Sequence, residues 1–166
     1  MICNLCPRRC GAERMPDKAG GVCAMPTWPV AARAMLHQWE EPCLVGEHGA
    51  GAVFFSGCNL RCKFCQNGVI SQEGYGKPIT PRRLREIFEE LVEQGAACLD
   101  LVTPTHFTDA VLEALGEERW PVPVVWNCGG YESVETLKRL ENRVQVYLPD
   151  LKYALTEPAK AYSGAA

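Results

Sequence analysis

The chain has 166 residues, of which 47% are hydrophobic, so it is long enough for one main domain with a real core. Lys and Arg total 17 against 20 acidic residues, and the net charge of −3 argues against nucleic acid or an anionic membrane as a partner. The N-terminus MICNLCPRRC has no apolar signal region, and no run of about 18 apolar residues follows it. We therefore expect a cytoplasmic protein. Its ten cysteines cluster at metal-ligand spacings, which favours thiolates on iron or zinc over disulfides.

Residues 1–50 are rich in Cys, Pro, Arg and Gly and lack sustained periodicity, which predicts a small loop-rich segment. Within it, Cys3, Cys6, Cys10 and Cys23 follow the pattern C-x2-C-x3-C-x12-C. Four thiolates can close a metal site, and both zinc and a second iron–sulfur cluster fit this spacing. The alternative is four free thiols in a reducing cytosol.

Residues 51–166 have the texture of βα units around a parallel sheet. Four short apolar runs predict buried strands, at 52–56, 99–103, 124–126 and 144–148. Between them, three amphipathic stretches predict helices, at 81–95, 108–115 and 133–140. Thr80 is the candidate N-cap of the first helix, with Pro81 at its first position. The fold class is therefore α/β.

Polar and cysteine residues follow each of the four predicted strands. The segments that come after the strands are, in chain order, GCNLRCKFC, PTH, NCGG and PDLK. Ligands of parallel α/β folds bind beyond the carboxyl ends of the strands, since the loops there can vary without disturbing the core. The four segments should therefore converge on one rim of the sheet.

Cys58, Cys62 and Cys65 form a CxxxCxxC motif directly after the first predicted strand. Three thiolates are one short of a closed zinc site, whereas a cubane cluster held by three cysteines keeps one iron open to another ligand. The competing interpretation is a zinc knuckle that recruits Cys43, Cys98 or a histidine as its fourth ligand. A ferredoxin would normally supply four cysteines in one short run, which this loop does not.

The segment GCNLRCKFCQN resembles the signature of the radical S-adenosylmethionine superfamily, with the aromatic Phe64 directly before the third cysteine. The resemblance implies a 4Fe-4S cluster on Cys58, Cys62 and Cys65, with S-adenosylmethionine bound to the open iron through its amino and carboxylate groups. It also implies that the backbone around Phe64 lies beside the adenine. The expected function is then an oxidoreductase that cleaves S-adenosylmethionine reductively to a 5′-deoxyadenosyl radical, without a catalytic side chain that we can name.

A wider set of segments resembles the branch related to pyruvate formate-lyase activating enzyme, and in particular its members with an N-terminal cysteine segment. These segments are CNLCPRRCGAER, EEPC, FFSGCNLRCKFCQN, LVTPTHF and YLPDLKY. The resemblance implies a partial parallel (β/α) barrel of the radical SAM type with about four βα units. It further implies a one-electron donor such as flavodoxin or ferredoxin, and a protein substrate, for example a glycyl-radical enzyme.

The same resemblance implies a set of residues that contact the cofactor. Asp150 and Lys152 match a DLK segment whose charged groups contact the ribose and the carboxylate of S-adenosylmethionine. Thr105 and His106 stand where related enzymes hold its amino group with a Gly-Gly-Glu segment, and Asn127 is a further candidate. The alternatives are an internal salt bridge for the charged pair, a helix-start or core role for the histidine, and a plain turn after the third strand.

The family closes its site with more βα units than the four predicted strands provide, so we expect residues 51–166 to be a core truncated at its C-terminal end. Two other functions stay open at this point. A non-enzymatic zinc-binding module would contain zinc and be colourless. An iron–sulfur electron carrier would contain iron and sulfide but would not respond to S-adenosylmethionine.

Overall fold

A computed structural model describes residues 2–165. One six-stranded sheet organises them, in the order β3-β1-β2-β4-β5-β6. The strands are β1 Val30–His37, β2 Ala50–Phe55, β3 Lys77–Pro78, β4 Leu99–Val102, β5 Val124–Cys128 and β6 Val146–Pro149. The helices are α1 Pro42–Val45, α2 Gly68–Ser71, α3 Pro81–Glu93, α4 Thr108–Leu115, α5 Val134–Arg139 and α6 Thr156–Ser163. In the described part of the chain, no helix has both the length and the apolar character needed to cross a membrane.

The four predicted strands are confirmed as β2, β4, β5 and β6, which pair in parallel with their neighbours. The three predicted helices are confirmed as α3, α4 and α5, with small shifts at their ends. Within residues 2–165 the sheet is mostly parallel and does not close, since β6 pairs with β5 and forms its free edge. This open α/β architecture agrees with the expected partial barrel.

The loop-rich prediction for residues 1–50 was wrong for residues 30–37, which form β1. This strand pairs antiparallel with β2 from Ala31–Phe55 to His37–Ala50, and with the short β3. The sequence of β1, VAARAMLH, shows no clean alternation, and its pairing joins residues distant in sequence, which periodicity does not reveal. Because β2 begins at Ala50, the sheet crosses the predicted boundary at residue 50. The division into 1–50 and 51–166 stays a prediction.

Helix α3 shows how local sequence builds the core. Its N-cap is Thr80, whose Oγ1 accepts a hydrogen bond of 3.1 Å from the backbone N–H of Arg83. The apolar stripe of α3 buries Leu84, Phe88 and Leu91 against one face of the sheet. On that face the sheet contributes Val53, Leu99, Leu101 and Trp126 to the same cluster.

The opposite face of the sheet is covered by a much smaller apolar cluster. Ala50, Cys98 and Val125 are buried there, packed against Leu44 of α1. The Cys98 thiol donates to the carbonyl oxygen of Leu44 at 3.4 Å. Helices α3 and α4 lie on the other face of the sheet. The face with Ala50, Cys98 and Val125, here called the inner face, is therefore the one that a ligand can approach.

Replacing Thr80 by Ala should lower the free energy of unfolding by about 1 kcal/mol, because the N-cap hydrogen bond to the Arg83 amide is lost. Thr80→Ser keeps the hydroxyl and should stay close to wild type. Urea denaturation of the reduced protein, followed by circular dichroism, measures both. An equal loss of unfolding free energy in Thr80→Ala and Thr80→Ser would contradict the capping role.

Candidate cofactor site

The CxxxCxxC loop leaves the sheet directly after β2, through a glycine that the fold requires. Gly57 has a φ of 79°, and a Cβ there would lie 2.3 Å from Cγ of Met25. Within the loop, the backbone N–H of Cys65 donates to the carbonyl oxygen of Cys62 at 3.0 Å. Burial raises the pKa of the Cys58 thiol, and the electrostatic effect of the neighbouring Cys62 and Cys65 side chains adds to the rise. A bound metal would offset the free-energy cost of deprotonating a buried thiol, because the metal neutralises the thiolate.

All three cysteines of the loop line one cavity of about 470 Å³ at the carboxyl ends of the parallel strands. This volume falls in the range of roughly 300–1,000 Å³ that is usual for small-molecule and cofactor sites. Residues from all four parallel strands or the loops after them contribute to the lining, among them Phe54, Val102, Asn127 and Asp150. The predicted convergence of the strand ends on one rim is therefore observed.

Four of the predicted cofactor residues also line this cavity: Phe64, Asn127, Asp150 and Lys152. Lys152 Nζ lies 2.5 Å from Oδ2 of Asp150, so the internal salt bridge considered above is present, and it lies at the cavity. The Phe64 ring is 58% exposed and packs edge-on against Tyr153 and Tyr162 at 5.9 and 6.0 Å between centroids. That these residues contact a cofactor stays a prediction.

Thr105 and His106 are not brought to the cavity lining; both are buried in a short 3-10 turn. Thr105 Oγ1 donates to Oε1 of Glu132 at 2.5 Å. Burial lowers the pKa of His106 to about 3, so its ring is neutral. Its Nε2 lies 2.7 Å from the carbonyl oxygen of Ser56, and since a carbonyl only accepts, Nε2 carries the proton. In this structure the histidine fixes the backbone just before Gly57, and its contact with a cofactor remains a prediction.

The comparison with protein families shows which superfamily contains this loop. Residues 52–153, more than half of the chain, match the model of the Radical SAM superfamily. The chain belongs to the radical SAM superfamily. Members of this superfamily typically use a 4Fe-4S cluster and S-adenosylmethionine. The match begins in β2 and includes the CxxxCxxC loop, the cavity rim, Asp150 and Lys152.

Among curated proteins, the chain is similar to one from Methanocaldococcus jannaschii that is named Uncharacterized protein MJ0674. The two are 32% identical over 164 residues, which cover 93% of this chain and 46% of that relative. The chain thus spans about half the length of the relative it matches. No solved structure matches the chain.

The lining of the cavity fits the two groups that the radical SAM superfamily uses. The cavity brings Cys58, Cys62 and Cys65 together, but neither Cys43 nor Cys98, which the zinc-knuckle alternative would recruit, lies in its wall. Cys98 instead lies on the inner face of the sheet, where burial raises the pKa of its thiol to about 12. Three thiols without these candidates for a fourth suit a cubane that keeps one iron open.

Two side-chain amides that hold the CxxxCxxC loop, called the cluster loop below, were not predicted from the sequence. Asn59 is only 2% exposed, and its Nδ2 donates to the carbonyl oxygen of Tyr131 at 2.7 Å. Gln72 Nε2 donates to the carbonyl oxygen of Cys62 at 2.8 Å. For Asn59 the available signal was a polar amide inside the motif itself, where the loop has few backbone partners of its own. Gln72 lies outside the motif, directly after α2, and its contact with Cys62 depends on the tertiary fold.

A buried carboxyl group below the cavity was also missed. Asp100, in β4, is 0% exposed, and its polar neighbours are the side chains of Glu40 and Asn127. Burial raises its pKa to about 8, and the neighbouring Glu40 adds to the rise. Asn127, which lines the cavity, lies 3.5 Å from Glu40 through its Nδ2. The signal was an acidic residue inside the buried run LDLV, where an unpaired charge is costly.

The four N-terminal cysteines lie together away from this cavity. Cys3, Cys6, Cys10 and Cys23 line a second, much smaller cavity of about 10 Å³. Burial raises the pKa of Cys6 and of Cys23. Burial also acts to raise the pKa of Cys10, but backbone N–H donors outweigh it, and the net pKa is lowered. Within residues 2–165, no three His, Cys, Asp or Glu side chains are already arranged to hold a metal ion. This finding includes Cys58, Cys62 and Cys65, so a metal at either set of cysteines remains a prediction.

Replacing Asp100 by Asn should stabilise the protein, with a gain that grows from about pH 5 to about pH 8. In that interval the folded state keeps a proton on Asp100 that the unfolded state has released, so the stability of the wild type falls as the pH rises. Asn cannot lose that proton. Urea denaturation of the reduced protein across the interval measures the difference.

The control for this experiment is Glu113→Gln, which removes an exposed carboxylate on α4 and should leave the pH dependence unchanged. A variant Asp100→Asn that is no more stable than wild type at about pH 8 would show that Asp100 is not held protonated.

Proposed function

We propose that this chain binds a 4Fe-4S cluster on Cys58, Cys62 and Cys65, and that S-adenosylmethionine is cleaved reductively there to a 5′-deoxyadenosyl radical. One observation carries the proposal: the three cysteines of the CxxxCxxC motif line a single cavity of about 470 Å³ at the carboxyl ends of the parallel strands. A cavity of this size has room for a cofactor beside the loop. Membership of the radical SAM superfamily supports the same chemistry.

When bound, the cluster supplies an electron to the sulfonium of S-adenosylmethionine, which yields methionine and the 5′-deoxyadenosyl radical. The residues of the chain bind and orient the cofactor, and they exclude water from it. Cys58 is held for this by the N–H of Leu60, which donates to its Sγ at 3.4 Å. Cys65 Sγ accepts from the hydroxyl of Ser71 at 3.2 Å. Such donors to ligand sulfurs are one of the ways in which proteins adjust a cluster's reduction potential.

The ion pair of Asp150 and Lys152 gives the cavity rim a donor and an acceptor for the cofactor. In the proposal, the Asp150 carboxylate accepts from the ribose hydroxyls and the Lys152 ammonium faces the carboxylate of the methionine moiety. The two side chains are 56% and 38% exposed, so either can turn from its partner toward a ligand at modest cost. Asn127 adds an amide at the same rim.

The radical would then take a hydrogen atom from a substrate. The segments that resemble the branch of pyruvate formate-lyase activating enzyme support a glycine backbone of a partner enzyme as that substrate. They equally support a one-electron donor such as flavodoxin or ferredoxin. Because the chain spans 46% of its relative, both partners are proposals for the protein that carries this domain.

The test of the proposed function is anaerobic reconstitution with iron and sulfide, followed by dithionite reduction and electron paramagnetic resonance. S-Adenosylmethionine should change the cluster signal, because it becomes a ligand of the open iron, and 5′-deoxyadenosine should form. Cys62→Ala should abolish both, whereas Cys43→Ala, which removes an exposed cysteine outside the cavity, should not.

Three outcomes would contradict the proposal. A cluster whose signal ignores S-adenosylmethionine would indicate an electron carrier. Bound zinc on the CxxxCxxC loop without iron would indicate a zinc module. Unchanged 5′-deoxyadenosine formation by Cys62→Ala would remove the cysteine from the cofactor site.

Replacing Lys152 by Met should weaken binding of S-adenosylmethionine to the reconstituted protein by roughly tenfold to 100-fold, the effect of losing a hydrogen bond to a charged group. Asp150→Asn should have a smaller effect, since an amide oxygen still accepts from a hydroxyl. The matched control is Lys160→Met, which removes an exposed ammonium on α6 outside the cavity lining. Titration with S-adenosylmethionine, followed by the cluster signal, gives the dissociation constants. If Lys152→Met and the control bind S-adenosylmethionine equally well, Asp150 and Lys152 form only a surface salt bridge.

A further inference from the structure

The small cavity beside the cluster loop is the strongest feature that the proposed function does not use. We infer that Cys3, Cys6, Cys10 and Cys23 bind one zinc ion, and that this ion braces the CxxxCxxC loop. The inference is independent of the proposed function, because it concerns another set of thiols. It rests on where those thiols lie, on the volume between them, on a buried cation next to them, and on contacts to the cluster loop.

Local backbone hydrogen bonds bring the four cysteines together. The N–H of Cys3 donates to the carbonyl oxygen of Ala12 at 2.9 Å, and the N–H of Gly11 returns to the carbonyl oxygen of Cys3 at 3.2 Å. A tight turn follows Cys6, whose carbonyl oxygen accepts from the N–H of Arg9 at 3.0 Å. Residues 3–12 therefore fold back on themselves, and the first three cysteines line the same cavity.

The fourth cysteine reaches the same place through a turn of its own. The N–H of Ala24, directly after Cys23, donates to the carbonyl oxygen of Gly21 at 3.1 Å. A Cβ on Gly21 would lie 3.0 Å from Sγ of Cys10, so the two segments are in close contact. All four cysteines consequently appear in the wall of the same cavity.

The volume of this cavity favours a single ion over a cluster. It measures about 10 Å³, close to the roughly 10–15 Å³ that one water molecule needs. A cubane has four irons and four sulfides and would not fit without rebuilding the segment. A single zinc ion takes four thiolate ligands in a tetrahedron, which matches the number of cysteines present. The sulfurs are not yet at ligand positions in residues 2–165, so zinc binding would have to rearrange them.

A buried arginine supplies the charge that such a site needs. Four thiolates around one Zn²⁺ leave an excess of negative charge, which favours a cation or hydrogen-bond donors beside the ligands. Arg14 is 1% exposed, and its Nη1 lies 3.3 Å from Sγ of Cys3. The guanidinium therefore places a positive charge and an N–H donor beside that sulfur.

The same segment is tied directly to the cluster loop, which is why the ion would act as a brace. Arg8 Nε donates to the carbonyl oxygen of Asn59 at 2.8 Å, and its Nη2 donates to that of Leu60 at 3.1 Å. Both acceptors lie between the first two cysteines of the CxxxCxxC motif. A second connection runs from Arg14, whose Nη2 donates at 2.8 Å to the carbonyl oxygen of His106. The ring of that histidine in turn holds Ser56.

The experiment uses the full chain with Cys58, Cys62 and Cys65 all replaced by Ser, so that no cluster can form on the loop. Purified anaerobically, this triple variant should contain one zinc per chain by mass spectrometry of its metals. Exchange of zinc for Co²⁺ should give the thiolate-to-cobalt charge-transfer absorption and the strong visible bands of a tetrahedral site. Neither readout requires a change in the N-terminal segment, so a folding defect there cannot obscure the answer.

Further variants on the triple-variant background assign the ligands. Cys6→Ser and Cys23→Ser should each weaken zinc retention during chelator challenge by at least about tenfold, while Cys43→Ser, at an exposed cysteine elsewhere, should not. Hydrogen exchange with and without zinc tests the brace: protection should rise both in residues 1–29 and in residues 56–66.

Each remaining outcome overturns part of the inference. A triple variant that binds neither zinc nor cobalt would refute the metal site. Iron and sulfide in that variant would replace the single ion by an auxiliary cluster. Zinc that protects residues 1–29 alone would refute the brace while keeping the ion. None of these results alters the test of S-adenosylmethionine cleavage, which is read from the cluster signal of the wild type.

Discussion

The parallel pairing of β2, β4, β5 and β6 is the constraint on which the rest of the structure depends. Parallel strands all run the same way, so their carboxyl ends, and the loops that follow, meet at one edge of the sheet. The cysteine loop, Asn127 and the ion pair of Asp150 with Lys152 come from distant parts of the chain and share one cavity for this reason. An antiparallel arrangement would have sent alternate loops to opposite edges.

Buried polar groups, and not apolar packing alone, hold the cluster loop in place. His106 fixes Ser56, Asn59 fixes the loop to Tyr131, and Arg8 reaches two carbonyl oxygens of the loop. Buried polar groups must be hydrogen-bonded to be tolerated, and when they are, they hold one conformation. A loop held in one conformation is what the metal cofactor of the proposed function would require.

Much of the parallel half of the fold was readable from local sequence. The runs AVFFS, LDLVT and VVW are apolar and short, and the helix after Thr80 has a cap, a proline and an apolar stripe. Strand β1 was not readable, because it carries no clean alternation and owes its conformation to pairing with β2. Asp100 was overlooked for a related reason: its significance comes from complete burial beside Glu40, which neighbouring sequence does not express.

The sequence by itself determined membership of the radical SAM superfamily and predicted the three cysteine ligands, because the spacing of Cys58, Cys62 and Cys65 is a local property of one loop. It also determined which segments would follow the strands. Only the tertiary structure decided which of those segments line the cavity. Asp150 and Lys152 reach it, whereas the turn with Thr105 and His106 folds beneath the loop and is buried. The physical reason is that burial and contact depend on side-chain direction and on packing between elements, and neither is encoded in the spacing of a motif.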